Sequence, residues 1–406
     1  MQSIKLNDII DFNPKVKLEK GDAYSFIPME NLTPEVKFVS DVEKKEWQGQ
    51  SSSKFKDGDI LFARIYPCLD NRKIAVAKTN GKGFGSTEFF VLRAKKGIAD
   101  QNFVYYLSTS DLIVQTAMNS YVGASGRQRA DLKFIKNSQF DLPTYDNQKK
   151  IAAILSTYDD LIDVNKKRIE ILENTATELY KEWFVRFRFS SNEDIIFEKG
   201  IPKGWEFKKL IDISDITYGY AFDSSRFNID GVGKKIVRIR NIPDSKSLDF
   251  TDEVVDDRYI VNNGDFLIGM DGFFHMNRWY DGESYLVQRT CRISAKNKLF
   301  QGYLRQAMRV PISFYQATIM GATVGHLGAK HLSEINILVP NQSFMRLVEE
   351  LNELDELILS LELMNRKLKN QANVLLPRLM SGKLSVDDLD IQYPPSMQTS
   401  DEAEEK

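Results

Sequence analysis

The chain has 406 residues, with 55 Lys and Arg against 57 Asp and Glu, three His and two Cys. That length holds two or three domains, and 42% hydrophobic with 28% charged residues is an ordinary globular balance. A net charge of −2 excludes a protein that is basic throughout. Two cysteines, Cys68 and Cys291, exclude a disulfide framework, and with His275, His326 and His331 they leave few ligands for a Cys/His metal site. No run of apolar residues is long enough to cross a membrane and the N-terminus has no signal-peptide core, so a cytoplasmic setting is expected. Charge is unevenly spread: +4 over residues 1–143, 0 over 144–189, 0 over 190–340 and −6 over 341–406.

In chain order, residues 1–143 read as a first mixed α/β domain. Its strand-like stretches are 60–65, 73–77 and 88–92, and a helix is predicted over 102–110. The glycine-rich run Gly81–Thr87 lacks the spacing of a phosphate loop and is read as a hairpin turn. Residues 144–189 carry a seven-residue apolar repeat without Pro or Gly from 147 to 187, which predicts a long helix of roughly 60 Å. Its seam contains Leu155, Ile162, Asn165, Ile169 and Leu172.

Residues 190–340 read as a second domain of the same kind, with strands at 235–239, 266–268 and 291–293 and a helix over 301–308. Residues 341–385 repeat the seam with Leu351, Leu354, Ile358, Leu361, Asn365 and Leu368, with Pro377 and Gly382 marking the helix end. An Asn inside each seam is either a buried register-fixing pair or a solvated edge position. The acidic segment 386–406 is predicted to be disordered.

The two halves repeat each other. Gly58-Asp59 returns as Gly264-Asp265, Leu142-Pro143 as Val339-Pro340, and Asn147-Gln148 as Asn341-Gln342. A period near 200 residues makes the chain a tandem duplication of α+β domains, each followed by a long helix, and the two helices are expected to pack as an antiparallel coiled coil.

Catalytic motifs are not apparent. No nucleophile elbow or Ser-His-Asp arrangement stands out, and Asn13-Pro14 lacks the aromatic residue and glycine loop that a DNA amino-methyltransferase requires. The polar residues on predicted loops suit nucleic acid instead, because Arg forks onto guanine, and Asn or Gln onto adenine. The first half offers Arg64, Asn71, Arg72, Lys73, Ser125, Arg127, Gln128 and Arg129. The second offers Arg238, Arg240, Asn241, Asn277, Arg278, Arg289, His326 and Lys330.

The layout resembles the specificity subunit of type I restriction-modification systems. The residues that carry the resemblance are Asp141-Leu142-Pro143 through Asn147-Gln148-Lys149-Lys150-Ile151-Ala152, Asp159-Asp160-Leu161-Ile162-Asp163 with Asn165, and Pro202-Lys203-Gly204-Trp205. The resemblance implies a non-catalytic subunit in which each globular domain is a target-recognition domain reading one half of a bipartite double-stranded DNA site. It implies helices that set the half-site spacing and dock two methyltransferase (modification) subunits, through which restriction (translocase and nuclease) subunits join. It implies no cofactor or metal in this chain, with S-adenosylmethionine, ATP and Mg on the partners. The competing expectation is a coiled-coil scaffold that has lost DNA reading.

Overall fold

The computed structural model describes residues 1–34, 36–40, 43–124, 126–189, 195–319 and 325–398. The chain divides into two compact units. Unit 1 is Met1–Val164 with the residues from Arg366 onward, and unit 2 is Asn165–Asn365. Each long helix therefore contributes to both units, which differs from the expectation of helices as separate segments.

Unit 1 has eleven strands: β1 (Gln2–Lys5), β2 (Ile10–Phe12), β3 (Ala23–Ile27), β4 (Phe38–Ser40), β5 (Glu43–Glu46), β6 (Ser53–Lys56), β7 (Ile60–Ala63), β8 (Ile74–Lys78), β9 (Lys82–Gly85), β10 (Phe89–Ala94) and β11 (Gln139–Leu142). They form a sheet ordered β2-β10-β7-β8-β4, a sheet ordered β5-β3-β9-β6 and the antiparallel ribbon β1-β11. The helices α1 (Gln101–Thr109) and α2 (Asp111–Asn119) follow β10. Strands β7 and β8 are apolar on both faces because each face is covered: Ile60, Phe62 and Ile74 join the core with α1, while Leu61, Ala75 and Ala77 face Phe55 and Ile27 of the second sheet.

The glycine-rich run is not a hairpin turn. Only its two ends turn, at Gly81 and at Thr87, and Lys82–Gly85 is strand β9, parallel to β3 and antiparallel to β6. Its glycines are required by close packing: a Cβ on Gly83 would lie 2.5 Å from the Phe55 ring, and one on Gly85 would lie 2.1 Å from the Ile27 carbonyl oxygen.

The long helix α3 (Tyr145–Tyr180) enters unit 2 at Asn165 and ends there in a π-turn at Lys181–Val185. Unit 2 repeats the plan with β12 (Glu206–Lys209), β13 (Ser214–Tyr218), β14 (Phe227–Asn228), β15 (Lys234–Val237), β16 (Phe250–Thr251), β17 (Ile260–Val261), β18 (Phe266–Gly269), β19 (Met276–Arg278), β20 (Ser284–Leu286), β21 (Thr290–Ala295) and β22 (Asn336–Val339). The sheet orders are β13-β21-β18-β19 and β14-β16-β15-β20-β17, with the ribbon β12-β22. The parallel pair β3/β9 recurs as β15/β20. Helices α4 (Gln301–Ala307) and α5 (Arg309–Ile319) match α1 and α2, and α6 (Met345–Met380) is the second long helix. Gln101 and Gln301 make the same bond, each side-chain oxygen accepting the N–H of the last residue of the preceding strand (Ala94, 2.7 Å; Ala295, 2.8 Å).

Helix α6 runs through Pro377 and ends at Met380, between the two residues expected to mark its end. In unit 1, Ile151 and Leu155 of α3 share a core with Leu375, Leu376 and Leu379 of α6. In unit 2, Ala176 and Leu179 share one with Val348, Leu351 and Leu354. The partners run in opposite directions in each case. Asn165 and Asn365 are buried, and the Asn165 Nδ2 donates to Asn365 Oδ1 at 2.9 Å, which selects the buried-pair reading. Ile162, Ile169, Leu172 and Leu368 are half-buried on the same seam, while Ile358 and Leu361 are buried.

The segment 386–398 is ordered, contrary to expectation. Val386 is buried in the unit 1 core and Met397 packs on it. Lys150 Nζ donates to the carbonyls of Val386 (3.2 Å) and Asp387 (2.7 Å), and Asn147 Nδ2 donates to Asp387 Oδ1 at 2.5 Å. Val386 and Met397, together with these hydrogen bonds, pin it to unit 1. The acidic remainder, residues 399–406, lies outside the described residues.

Candidate nucleic-acid interface

Each globular part is fixed to a long helix by buried charge. In unit 1 Lys37 lies buried with its Nζ donating to Tyr106 Oη (2.9 Å) and Ser156 Oγ (3.0 Å), and it stands 3.7 Å from Asp159. Burial pushes the lysine pKa down and the Asp159 and Tyr106 pKa values up. In unit 2 Asp355 of α6 is ion-paired to Arg278 and, at 2.6 Å, to Arg305, while Arg305 and Arg309 also reach Glu173 of α3 at 2.8 and 3.0 Å. These anchors set the loops that follow on a rigid base.

Two loops of unit 1 meet above the end of β7. Arg129 forms a bridge with Ile65, the Tyr66 N–H donates to the Gln128 carbonyl (2.9 Å) and the Ala130 N–H to the Arg64 carbonyl (2.8 Å). Glu88, just before β10, stands between them. Its carboxylate accepts from Arg64 Nε at 3.0 Å and from Arg129 Nε and Nη2 at 3.0 and 2.7 Å. The guanidinium of Arg129, and then that of Arg64, hold the Glu88 carboxyl below its usual range. Tyr121 closes the second loop on the first with a 2.5 Å bond to Asp70. Arg127 and Asn71 are exposed beside this clamp and Gln128 is half-buried.

The corresponding place in unit 2 has the same backbone and different charges. The Met270 N–H donates to the Arg289 carbonyl (2.8 Å) and the Leu327 N–H to the Met270 carbonyl (2.7 Å), as Arg64 does with Glu88 and Ala130 with Arg64. Arg289 thus occupies the Glu88 position, and His326, bridged to Asp271, occupies that of Arg129. Asp271 Oδ1 lies 2.6 Å from His326 Nδ1 and its Oδ2 3.5 Å from Arg289 Nε. Gln316 pins the 271–276 loop, accepting from the Phe274 N–H (2.6 Å) and donating to the Gly272 carbonyl (3.2 Å), which leaves Phe273 65% exposed. Arg238 follows Val237, whose carbonyl accepts the Val287 N–H at 3.1 Å, so it lies beside this cluster with its guanidinium over the Phe227 ring.

Several residues expected at a DNA surface have structural employment instead. Arg278 is buried on Asp355, its Nη1 also donating to the Asp355 carbonyl at 2.8 Å, and burial lowers its pKa to about 10. It cannot reach a base edge. Asn241 is buried and closes a tight turn, accepting the Arg238 N–H (2.9 Å) and donating to the Lys246 carbonyl (3.1 Å). Asn277 holds the carbonyls of Ile242 (3.2 Å) and Pro243 (2.8 Å). Arg72 binds Asp111 and the Thr109 carbonyl, Lys73 the Met29 carbonyl at 3.2 Å, and Arg240 Asp249 at 2.6 Å. Lys330 is exposed, 3.9 Å from Glu334. Ser125 lies outside the described residues. Glu88, Asp271 and Gln316, which organise the two loop clusters, carry no sequence signal, since an isolated carboxylate or amide marks nothing until its partners converge.

The Pro202-Lys203-Gly204-Trp205 motif has a packing role. Trp205 is buried against Phe184 (5.5 Å), Phe189 (5.6 Å) and Phe344 (5.4 Å), and Gly204 takes a positive φ that lets Asn341 Nδ2 donate to the Lys203 carbonyl at 3.1 Å. Among the described residues no group of three or more His, Cys, Asp or Glu could hold a metal ion, and no helix is long and apolar enough to cross a membrane.

Comparison with known proteins yields one family. The type I restriction modification DNA specificity domain matches residues 1–174 and again 202–374. The MjaIX type I restriction enzyme specificity subunit of Methanocaldococcus jannaschii is 25% identical over 410 residues, spanning 93% of this chain and 90% of its own. The MjaVIII specificity subunit of the same organism is 25% identical over 330 residues, 76% of each chain. The crystal structure of a type I restriction-modification system S subunit from M. genitalium shares the fold, with a TM-score of 0.52 at 15% identity over 93% of this chain and 96% of that one.

Proposed function

We propose, on the premise that the chain belongs to the type I restriction modification DNA specificity family, that it is the DNA sequence-recognition subunit of a type I restriction-modification complex. Each repeat reads one half of a bipartite site, and the paired helices set the spacing. The observation that carries this reading is the conserved backbone under divergent side chains: Arg64, Glu88 and Arg129 in unit 1 stand where Met270, Arg289 and His326 stand in unit 2. A shared scaffold with exchanged polar tips is what reading two different half-sites in the major groove requires. In unit 1 the readers are the exposed Arg127 and Asn71 and the half-buried Gln128, with Arg129 and Arg64 presented by Glu88; in unit 2 they are the exposed Arg289, His326 and Lys330 and the half-buried Arg238.

The chain itself performs no chemistry in this reading. Methyltransferase subunits dock on α3 and α6 and bring S-adenosylmethionine, and restriction subunits join through them with ATP and Mg. The setting is the cytoplasm, where the DNA is. Inserting one heptad at matching points of α3 and α6 tests the ruler. The expected result is an altered spacer with both half-site sequences retained, read from methylated motifs in vivo; an unaltered spacer overturns it. The scaffold alternative predicts that removing the gene leaves every methylated motif in place.

A further inference from the structure

The β5-β3-β9-β6 sheet of unit 1 has one buried face and one open face. Register places Ser25, Ile27, Phe55, Gly83 and Gly85 on the inner face, where Ser25 is 2% exposed and Ile27 and Phe55 are fully buried. The outer face carries Lys45, Lys54, Lys56 and Lys82; Glu43 pairs with Lys45 at 2.7 Å, and Glu19, paired with Lys17 at 2.9 Å, lies near Lys82.

Two of these lysines stand on an aromatic bed. Phe26 and Phe84 pack at 5.2 Å, Lys45 Nζ lies 4.1 Å over the Phe26 ring and Lys54 Nζ 4.1 Å over Trp47. Stems laid on rings keep the ammonium groups at the surface with little freedom left to lose on binding. Lys56 and Lys82 are directly opposed across two strands, a like-charge pairing that disfavours the sheet, and Lys82 Nζ donates to the Lys17 carbonyl at 2.9 Å.

Unit 2 shows that the fold does not need this. Register puts Ile260 at the place of Lys54, Thr251 at that of Lys45, Asn262 at that of Lys56 and Glu283 at that of Lys82. There Tyr220, Phe222 and Phe227 cover the face. The lysine face is also continuous with the reading loops, since β9 runs into Glu88. Phe84, beside Lys54, is four residues from Glu88 and so at most about 14 Å away.

We propose that this face is a second DNA-contacting surface, which grips the phosphodiester backbone of the duplex flanking the half-site read by unit 1. It rests on the half-site reading above, and it adds affinity without adding sequence preference.

The test uses the full chain, with fluorescence anisotropy on two duplexes across a salt series: one carrying the recognised site with long flanks, one of random sequence. The variant K45Q/K54Q/K56Q/K82Q is expected to weaken both and to reduce the slope of log affinity against log salt by about three to four, while the ratio between the duplexes stays fixed. A control with the same charge change in unit 2, K203Q/K209Q/K246Q/K298Q, is expected to leave most of the slope. Circular-dichroism melts confirm that both variants fold. An unchanged slope in the first variant, or an equal loss in the control, overturns the proposal. A wild-type chain that binds both duplexes equally, with a slope that still depends on the four lysines, overturns the half-site reading and leaves the surface standing.

Discussion

The two repeats solve the same problems with different chemistry. Unit 1 holds its recognition part to the helix with one lysine, a tyrosine, a serine and an aspartate (Lys37, Tyr106, Ser156, Asp159), whereas unit 2 uses a network of full charges (Arg278, Arg305 and Arg309 with Asp355 and Glu173). At the loop clusters the acid and base positions are exchanged, Glu88 against Arg289. On the small sheet one repeat exposes lysines and the other covers itself with aromatic rings. Backbone bonds are shared at the last two of these places. The ladder and the cores therefore fix the frame, and the tips can change without refolding it.

The anchors should break unequally. Asp355→Ala leaves Arg278 buried without its counter-charge, and unit 2 should lose about 3 to 5 kcal/mol in chemical denaturation. Asp159→Ala should cost less, because Lys37 keeps two neutral acceptors, can lose its proton, and already has its pKa lowered by burial. Equal losses would remove the distinction between the two anchors.

The helix seam gives the next effect. Asn165→Leu leaves the Asn365 amide buried without its partner and should cost about 1 to 3 kcal/mol. The double change to Leu should recover that stability and widen the range of oligomers seen by ultracentrifugation, because the polar pair that penalises other registers is gone.

The smallest effect is a pH dependence at the unit 1 loop cluster. Glu88 has its folded pKa below the ordinary value of 4.5, so its contribution is full above that value and is lost as pH falls through the lowered folded pKa. Protection of the Tyr66 and Ala130 amides from hydrogen exchange should fall below pH 4.5 in the wild type, and Glu88→Gln should flatten that dependence. The Met270 and Leu327 amides of unit 2 are the internal reference, being unaffected by the substitution.

The duplication and both helices were legible in the sequence because an apolar seven-residue period survives any tertiary context, and the paired Asn lie at its phase. The strands at 60–63, 266–269 and 290–295 were legible from composition. The parallel pairing β3/β9 was not, since its glycines looked like a turn until the Phe55 ring and the Ile27 carbonyl explained them. The proposed DNA surface was half legible. Arg129, Arg289 and His326 do converge with their loops, but Arg278 sits on an aspartate 77 residues away, a distance over which sequence carries no pairing signal. The ordered segment 386–398 was missed for a related reason: Val386 and Met397 are too few to form a pattern, yet they have a core to enter.

The central claim is that two independent readers share one frame. It is tested most directly by replacing residues 1–143 with the matching part of another family member and mapping the methylated motif in cells carrying the partner subunits. The account predicts that one half of the motif changes while the other half and the spacer are retained. A change in both halves, or in neither, would contradict it.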